Sequence, residues 1–211
     1  MFEIEYKGAN SVIISTKKSK LVIDPNIAMF GLKNPSVAGA VELVTEERFG
    51  IDGLNREILI DGPGEYGVQG FDIRGIAARR HIDSESDPKI STIYRIEVED
   101  ARIGVIGNIW GKLSDEQLED LGLIDVLILP VGGHGYTMDA VAAAGLVGLI
   151  EPKVVIPVHF ADSAIKYEVP QDELALFVTE LGADKETMPK YKLKTISALP
   201  PKTTVIELGR N

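Results

Sequence analysis

The sequence predicts an α/β protein in which a core of two β-sheets is covered by helices on the outside. Three observations predict it. Short strand-like segments crowd the first half of the chain, strands alternate with helices in the second half, and no stretch has the composition of a linker. The chain has 211 residues, so we read residues 1–211 as a single domain.

The first half is read as strands because short apolar segments alternate with polar positions and end at turn residues. These segments are residues 2–6, 12–15, 21–24, 41–45, 57–60, 71–78, 91–97 and 101–106. The glycine-rich stretch 62–70 is read as a turn region, because it fits neither a dinucleotide-binding pattern nor a phosphate-binding loop.

The second half carries the helix signals. Ser114 and Gln117 have capping-box spacing, and Gly122 ends the short helix that follows them. Thr137 is expected to cap a helix over 138–150, and Gly182 to close an amphipathic helix over 171–181. Between and after the helices lie three apolar segments of strand type, at 126–130, 154–158 and 203–208.

Composition excludes several classes of protein. Cysteine is absent, which removes disulfides, cysteine-bound zinc and cysteine nucleophiles, and is compatible with a cytoplasmic location. The formal net charge of −10 disfavours nucleic-acid binding. No apolar run reaches the ~18 residues of a membrane span, so we expect no membrane insertion.

Several short segments, in order along the chain, resemble one family. They resemble small Zn-dependent hydrolases of the metallo-β-lactamase superfamily, in the ascorbate-6-phosphate-lactonase-like branch, at residues 21–25, 64–70, 77–83, 107–108, 113–118, 129–133, 136–140 and 156–160. The resemblance implies a four-layer αβ/βα sandwich with a metal site at one edge of the two sheets.

The segment that should carry the metal ligands departs from the family pattern. Active members have a Thr-His-x-His-x-Asp-His signature, whose side chains converge on metal ions. Here Thr45 is followed by Glu46 and Arg48 at the two histidine positions, and by Gly50 and Ile51 at the aspartate and last histidine positions. Arg48 puts a fixed positive charge where the family holds a cation.

Three further positions can be compared with the family. His81 and His159 fall where it has histidine ligands, whereas Asn108 replaces the bridging aspartate. Glu46, His81 and His159 could hold one ion, because a carboxylate can replace a histidine. The expected cofactor is therefore none, or a single weakly bound divalent metal such as zinc or manganese.

Each of these residues also has a structural interpretation. Glu46 and Arg48 are expected to form an ion pair, since a buried charge needs a partner. Asp24 is expected to accept backbone hydrogen bonds and support the ligand loop. His81 and His134 are interpreted as loop histidines, although His134 could face the mouth of the pocket, and His159 could hydrogen-bond a neighbouring loop.

Three functions remain open at this point. The first is a relative with an eroded metal site that binds a partner protein, or a small anion through arginines such as Arg48, Arg79 and Arg80. The second is a hydrolase of an ester, lactone or phosphodiester that uses a rebuilt mononuclear site. The third is a structural subunit that assembles with itself or with a related paralogue.

Overall fold

A computed structural model of the chain describes residues 1–52, 55–81 and 90–211, and in it two mixed β-sheets face each other. The strands of the first sheet are β1 (Phe2–Gly8), β2 (Ser11–Ser15), β3 (Lys20–Ile23), β4 (Val41–Leu43), β5 (Ile58–Ile60) and β13 (Tyr191–Leu193). Their order is β13-β1-β2-β3-β4-β5.

The second sheet is larger. Its strands are β6 (Gly64–Val68), β7 (Phe71–Arg79), β8 (Ile90–Val98), β9 (Ala101–Val105), β10 (Val126–Pro130), β11 (Val154–Val158), β12 (Asp184–Met188) and β14 (Thr204–Leu208). Their order is β12-β14-β11-β10-β9-β8-β7-β6.

The main core lies between the two sheets. Alternate residues of β1 to β3, such as Ile4, Ile14 and Ile23, meet Ile96 and Ile128 of the second sheet, and all five are at most 1% exposed. Burial of these apolar surfaces removes them from water and is the main stabilising term. The two-sheet core predicted from the alternating pattern is confirmed.

Three α-helices cover the outer face of the second sheet. They are α1 (Asp115–Leu121), α2 (Ala140–Ile150) and α3 (Leu174–Leu181), and their apolar faces pack on β10 and β11. The outer face of the first sheet is covered differently, since Ile13 and Val22 pack under the loop residues Val37 and Ala40. Within the described residues, no helix is long and apolar enough to cross a membrane.

Several boundaries differ from the sequence predictions. Asp139, and not Thr137, caps α2, because the Thr137 hydroxyl is used to accept a bond from the amide of Gly133. The helix predicted from residue 171 begins at Leu174, because Gln171 turns its side-chain amide back to the carbonyls of Val169 and Pro170.

Three strands lie outside the predicted strand segments, and one of them, β13, pairs antiparallel with β1. The stretch 62–70 contains β6, which pairs antiparallel with β7 despite its glycines, and β12 pairs in parallel with β14 at the sheet edge. Every residue of β12 is exposed or half-buried, so it lacks the apolar alternation by which strands are recognised.

Topology brings one end of many strands to the same edge. In the first sheet β1, β3 and β4 run in one direction, and in the second sheet so do β7, β9, β10 and β11. Backbone bonds join the two sets of strand ends, since the amide of His159 donates to the carbonyl of Ala9 at 2.9 Å. The loops after these strands therefore form one surface, where sites in such folds are built.

Candidate functional site

The loop after β4 carries a buried ion pair. The guanidinium of Arg48 donates to the two carboxylate oxygens of Glu46, at 2.7 and 3.3 Å, and Arg80 approaches the same carboxylate at 3.5 Å. Glu46 is 3% exposed, so its charge depends on these partners. The ion pair expected from the sequence is present.

Arg48 is further held between aromatic rings. Its guanidinium carbon lies 4.7 Å from the ring centre of Phe49 and 4.9 Å from that of Tyr136. Burial is the largest single influence and lowers the pKa of Arg48, but the charge and hydrogen bonds of Glu46, with weaker contributions from Tyr136 and Glu168, together raise the pKa above its ordinary value. The side chain is thus a fixed cation with a fixed position.

Across the edge, His159 is buried in an aromatic and amide environment. Its ring lies 4.8 Å from that of Tyr167 and 5.3 Å from that of Tyr136, and its Nδ1 donates to the side-chain oxygen of Asn10 at 2.9 Å. Burial, and then the charge of Arg48, lower the pKa of His159 to about 3. The imidazole is therefore neutral at physiological pH.

Asn10 connects His159 to Asn108. The amide nitrogen of Asn10 donates to the side-chain oxygen of Asn108 at 3.1 Å. Asn108 directly follows Gly107, whose backbone packs against the loop after β4. A Cβ placed on Gly107 would lie only 2.7 Å from the Cβ of Thr45. Only glycine allows this close approach, which brings the ends of β4 and β9 together.

These contacts close into a circuit that we call the site ring. It passes from Glu46 to Arg48, to Tyr136, to His159, to Asn10 and to Asn108, and it returns through Gly107 and Thr45. Nδ2 of Asn108 is buried in the site ring without a hydrogen-bond partner, whereas the hydroxyl of Tyr136 interacts with the guanidinium of Arg48 without a hydrogen bond of ordinary geometry. A buried polar atom without a partner costs free energy, so the position of Asn108 is held by the rest of the site ring.

Asp24 supports the site ring from behind. Its two carboxylate oxygens accept bonds from the amide and the hydroxyl of Thr45, both at 2.7 Å. Burial raises the pKa of Asp24 to about 7. Its contacts are those expected of a residue that fixes the ligand loop.

The two other histidines lie nearer the surface. The Nδ1 of His81 donates to the carbonyl of Gly135 at 3.1 Å, and its ring lies 5.6 Å from that of Trp110. His134 is exposed and its Nε2 donates to Asp172 at 2.9 Å. The last two residues of segment 77–83, which resembled the family, lie outside the described residues.

The backbone at this edge is strained. Ala9, Asp24, His134 and His159 have positive φ angles between 47° and 56°, a conformation that non-glycine residues rarely adopt. Such residues concentrate at functional sites, where the surrounding structure holds them in place. All four follow strands that end at the common edge, so the strain lies around the site ring.

The side chains present do not fit a metal centre of the family type. Across residues 1–52, 55–81 and 90–211, no group of three or more His, Cys, Asp or Glu side chains is placed to hold a metal ion. Glu46, His81 and His159 are therefore not brought together as a ligand set. Each has another partner, which is Arg48 for Glu46, Gly135 for His81 and Asn10 for His159.

Two residues of the site ring were not singled out from the sequence. Asn10 lies in the turn between β1 and β2, and Tyr136 in the loop after β10. The only signal for either was its place after a strand that ends at the common edge. Nothing in the local sequence indicates that Asn10 contacts His159, which is 149 residues away.

Comparison with known proteins agrees with this architecture. Residues 3–159 match the Beta-lactamase superfamily domain. A UPF0173 metal-dependent hydrolase of Aeropyrum pernix is 47% identical over 47 residues, which cover 22% of this chain and 19% of that protein. Another, of Thermus thermophilus, is 25% identical over 193 residues, which cover 76% of this chain and 84% of that protein.

Solved structures share the fold over the whole chain. A metallo-β-lactamase superfamily protein of Thermotoga maritima has a TM-score of 0.73 at 22% identity, covering 99% of this chain and 100% of its own. A metallo hydrolase of Ignicoccus hospitalis has a TM-score of 0.64 at 18% identity, covering 99% and 96%. The αβ/βα sandwich is confirmed, and the chain belongs to the β-lactamase superfamily. The matched segment of the Aeropyrum relative is a minor part of that protein.

Proposed function

We propose that this protein is a member of the superfamily in which an internal ion pair has replaced the metal centre, and that it functions by binding and not by dinuclear metal hydrolysis. The observation that carries the proposal is the position of Arg48. Its guanidinium stands at a histidine-ligand position, pairs with Glu46 at 2.7 Å, and is held by two aromatic rings.

The charge of Arg48 bears directly on metal affinity. A divalent ion bound close to a buried guanidinium would be repelled, and in a partly desolvated site this repulsion is weakly screened. Glu46 could serve as a ligand only by giving up its ion pair with Arg48. The replacement of the bridging aspartate by neutral Asn108 removes a further negative charge that two cations would need.

Metal analysis tests the proposal. The purified protein is exposed to zinc, manganese, iron and nickel, washed extensively by gel filtration, and analysed by elemental mass spectrometry. We expect substoichiometric metal, and we expect His159→Ala to leave the trace amount unchanged. The Thermus relative, loaded and washed in parallel, controls for the procedure.

The same measurement can also contradict the proposal. Retention of one or more ions per chain, lost in both His81→Ala and His159→Ala, would overturn the proposal. It would direct attention to a rebuilt mononuclear site that includes Glu46.

A metal-dependent hydrolase is the second candidate, because His81 and His159 keep their family positions and the curated relatives are named metal-dependent hydrolases. Its test is activity on p-nitrophenyl esters, aryl lactones and phosphodiesters with each metal added. Turnover that His159→Ala abolishes, at unchanged thermal stability, would favour it over the binding role.

A further inference from the structure

The helix α2 carries no polar side chain along its whole length. One side of it packs on the second sheet as part of the outer core. The opposite side faces away from the sheet, and there Val141 and Leu149 are 64% and 65% exposed. A helix that is apolar all round is normally buried all round, so α2 has one more apolar face than the described residues cover.

Two glycines lie on the same exposed face of α2. Gly145 is four residues from both Val141 and Leu149, so these three residues form one row along the helix, and Gly148 lies beside the row. A Cβ on either glycine would meet no packed neighbour within 4 Å among the described residues. No contact within the described chain therefore requires glycine here, although glycine is unfavourable in a helix relative to alanine. A backbone that packs closely on α2 from outside would use the space that both glycines leave.

The exposed apolar face continues onto α3, which packs beside α2. On α3, Leu176 is 53% exposed. A cavity of about 620 Å³ lies between the C-terminal ends of the two helices, and its lining includes Val147, Gly148, Leu181 and Gly182. The two helices thus present an apolar surface with a recess at one end, which we call the helix face (Val141, Gly145, Gly148, Leu149 and Leu176).

Carboxylates surround the helix face. Asp139 and Glu151 lie at the two ends of α2. Glu173 and Glu180 lie about one helical turn before and after Leu176, on the same side of α3. All four carboxylates belong to exposed residues, and none of them forms an ion pair with another residue in the part of the chain that the structure describes.

The balance of charge around the helix face is negative. Two lysines line the recess, but Lys202 is paired with Asp184 at 2.7 Å, so Lys153 is left to offset the four carboxylates. A basic partner is attracted by this arrangement. A second copy of the chain, with its own net charge of −10, would bring the same carboxylates face to face and is disfavoured.

We propose that the helix face docks an amphipathic helix of a partner protein, which places apolar side chains on α2 and α3 and Lys or Arg side chains at its borders. Recognition of a helix in this way uses apolar anchors at a spacing of three or four residues, and the gap at Gly145 admits such an anchor. The helix face shares no residue with the site ring, so this inference goes beyond the proposed function and does not depend on it.

Fluorescence anisotropy tests the inference with a fluorescein-labelled peptide of Leu and Lys in which Leu recurs at helical spacing. We expect saturable binding to the purified protein, and we expect it to weaken as salt rises because charge contributes to it. A peptide with Glu in place of Lys tests the charge, and a scrambled peptide of the same composition tests the apolar stripe. Both should bind much more weakly than the first peptide.

Three variants test whether binding occurs at the helix face. Leu149→Gln removes an exposed apolar anchor and should weaken binding of the Leu and Lys peptide by about tenfold or more. Gly145→Gln fills the gap in the helix face and should also weaken binding, while the fold tolerates it because the space is open. Ile58→Gln changes an exposed apolar residue on β5 of the first sheet, and it should leave binding unchanged.

Two results with the peptide would overturn the inference, namely no saturable binding to the wild type, or equal affinity in the wild type and Leu149→Gln. Circular dichroism and thermal unfolding of each variant show whether a loss reflects unfolding. Light scattering after size exclusion tests the alternative partner, and we expect a monomer. A dimer that Leu149→Gln dissociates would assign the helix face to a second copy and would also overturn the inference.

Discussion

At the scale of single residues, the sequence predicts that the site departs from the family pattern in size as well as in charge, since Gly50 and Ile51 fall at an aspartate and a histidine position. A guanidinium and a carboxylate, Arg48 and Glu46, stand at two histidine positions, and Asn108 stands at an aspartate position. Of these residues, Arg48 and Asn108 carry hydrogen-bond donors, and the carboxylate of Glu46 accepts from Arg48. Asp24 is an aspartate as in the family pattern, and its carboxylate accepts a hydrogen bond from the backbone amide of Thr45.

Asp24 makes stability depend on pH in a direction that can be tested. Burial raises its pKa from 3.8 to about 7, so between these values the folded state holds a proton that the unfolded state has lost. Its contribution to stability is therefore present below about pH 4 and is lost as pH rises through about 7.

The isosteric variant Asp24→Asn cannot titrate at this position. Relative to the wild type, its free energy of unfolding should rise between pH 4 and pH 8 by on the order of 4 kcal/mol. Urea denaturation at several pH values measures the free energy of unfolding of both proteins. Subtracting one from the other removes the opposite pH dependence that His159 contributes to both. A difference that stays constant with pH would contradict the prediction.

At the scale of elements, the loop between β10 and α2 positions Tyr136 over the site. It passes so close to the end of β11 that a Cβ on Gly132 would clash with the carbonyl oxygen of His159 and with Oε1 of Gln171. The amide of Asp172 also donates to the carbonyl of Gly132 at 2.7 Å. The loop is thus fixed between the end of β11, which carries His159, and the segment that precedes α3.

Gly132→Ala should destabilise the protein by about 2 kcal/mol or more, because backbone atoms must move to admit the methyl group. Gly145→Ala is the matched control. No other atom would lie within 4 Å of its new Cβ, and alanine in a helix should raise stability by about 0.5–1 kcal/mol. Urea denaturation measures both, and similar effects of the two changes would refute the close approach.

At the scale of the whole molecule, the site depends on the alignment of two sheets. The hydroxyl of Tyr94, on β8 of the second sheet, donates to the carbonyl of Val44 at the end of β4, at 2.9 Å. The amide of Thr92 donates to the carbonyl of Thr45 in the same region. These bonds fix the loop after β4, in the first sheet, against β8 of the second sheet.

Tyr94→Phe should lower the free energy of unfolding by about 1–2 kcal/mol, since it leaves the buried carbonyl of Val44 without this donor. Tyr191→Phe, on β13, removes a hydroxyl that makes no hydrogen bond within residues 1–52, 55–81 and 90–211, and it should change stability by less than about 0.5 kcal/mol. Thermal and urea unfolding compare the two. Equal effects would show that the bond between the sheets contributes nothing measurable.

The sequence by itself determined much of this protein. Period-two apolar segments such as 2–6 and 101–106 define strands because alternate side chains must face the core, and Ser114 with Gln117 defines the start of α1 because the capping bonds are local. The sequence also predicts that Glu46, Arg48 and Asn108 replace metal ligands of the family, a prediction that depends only on residue type.

Only the tertiary structure decided how these residues are used. The contacts of His159 with Asn10, and of Gly107 with Thr45, join positions far apart in the chain, and no local pattern encodes them. The strand β12 was missed for the same reason, because it is held by backbone pairing to β14 and not by apolar burial. Strand pairing and burial are properties of the folded chain, and they bring residues from distant parts of the sequence together in one site ring.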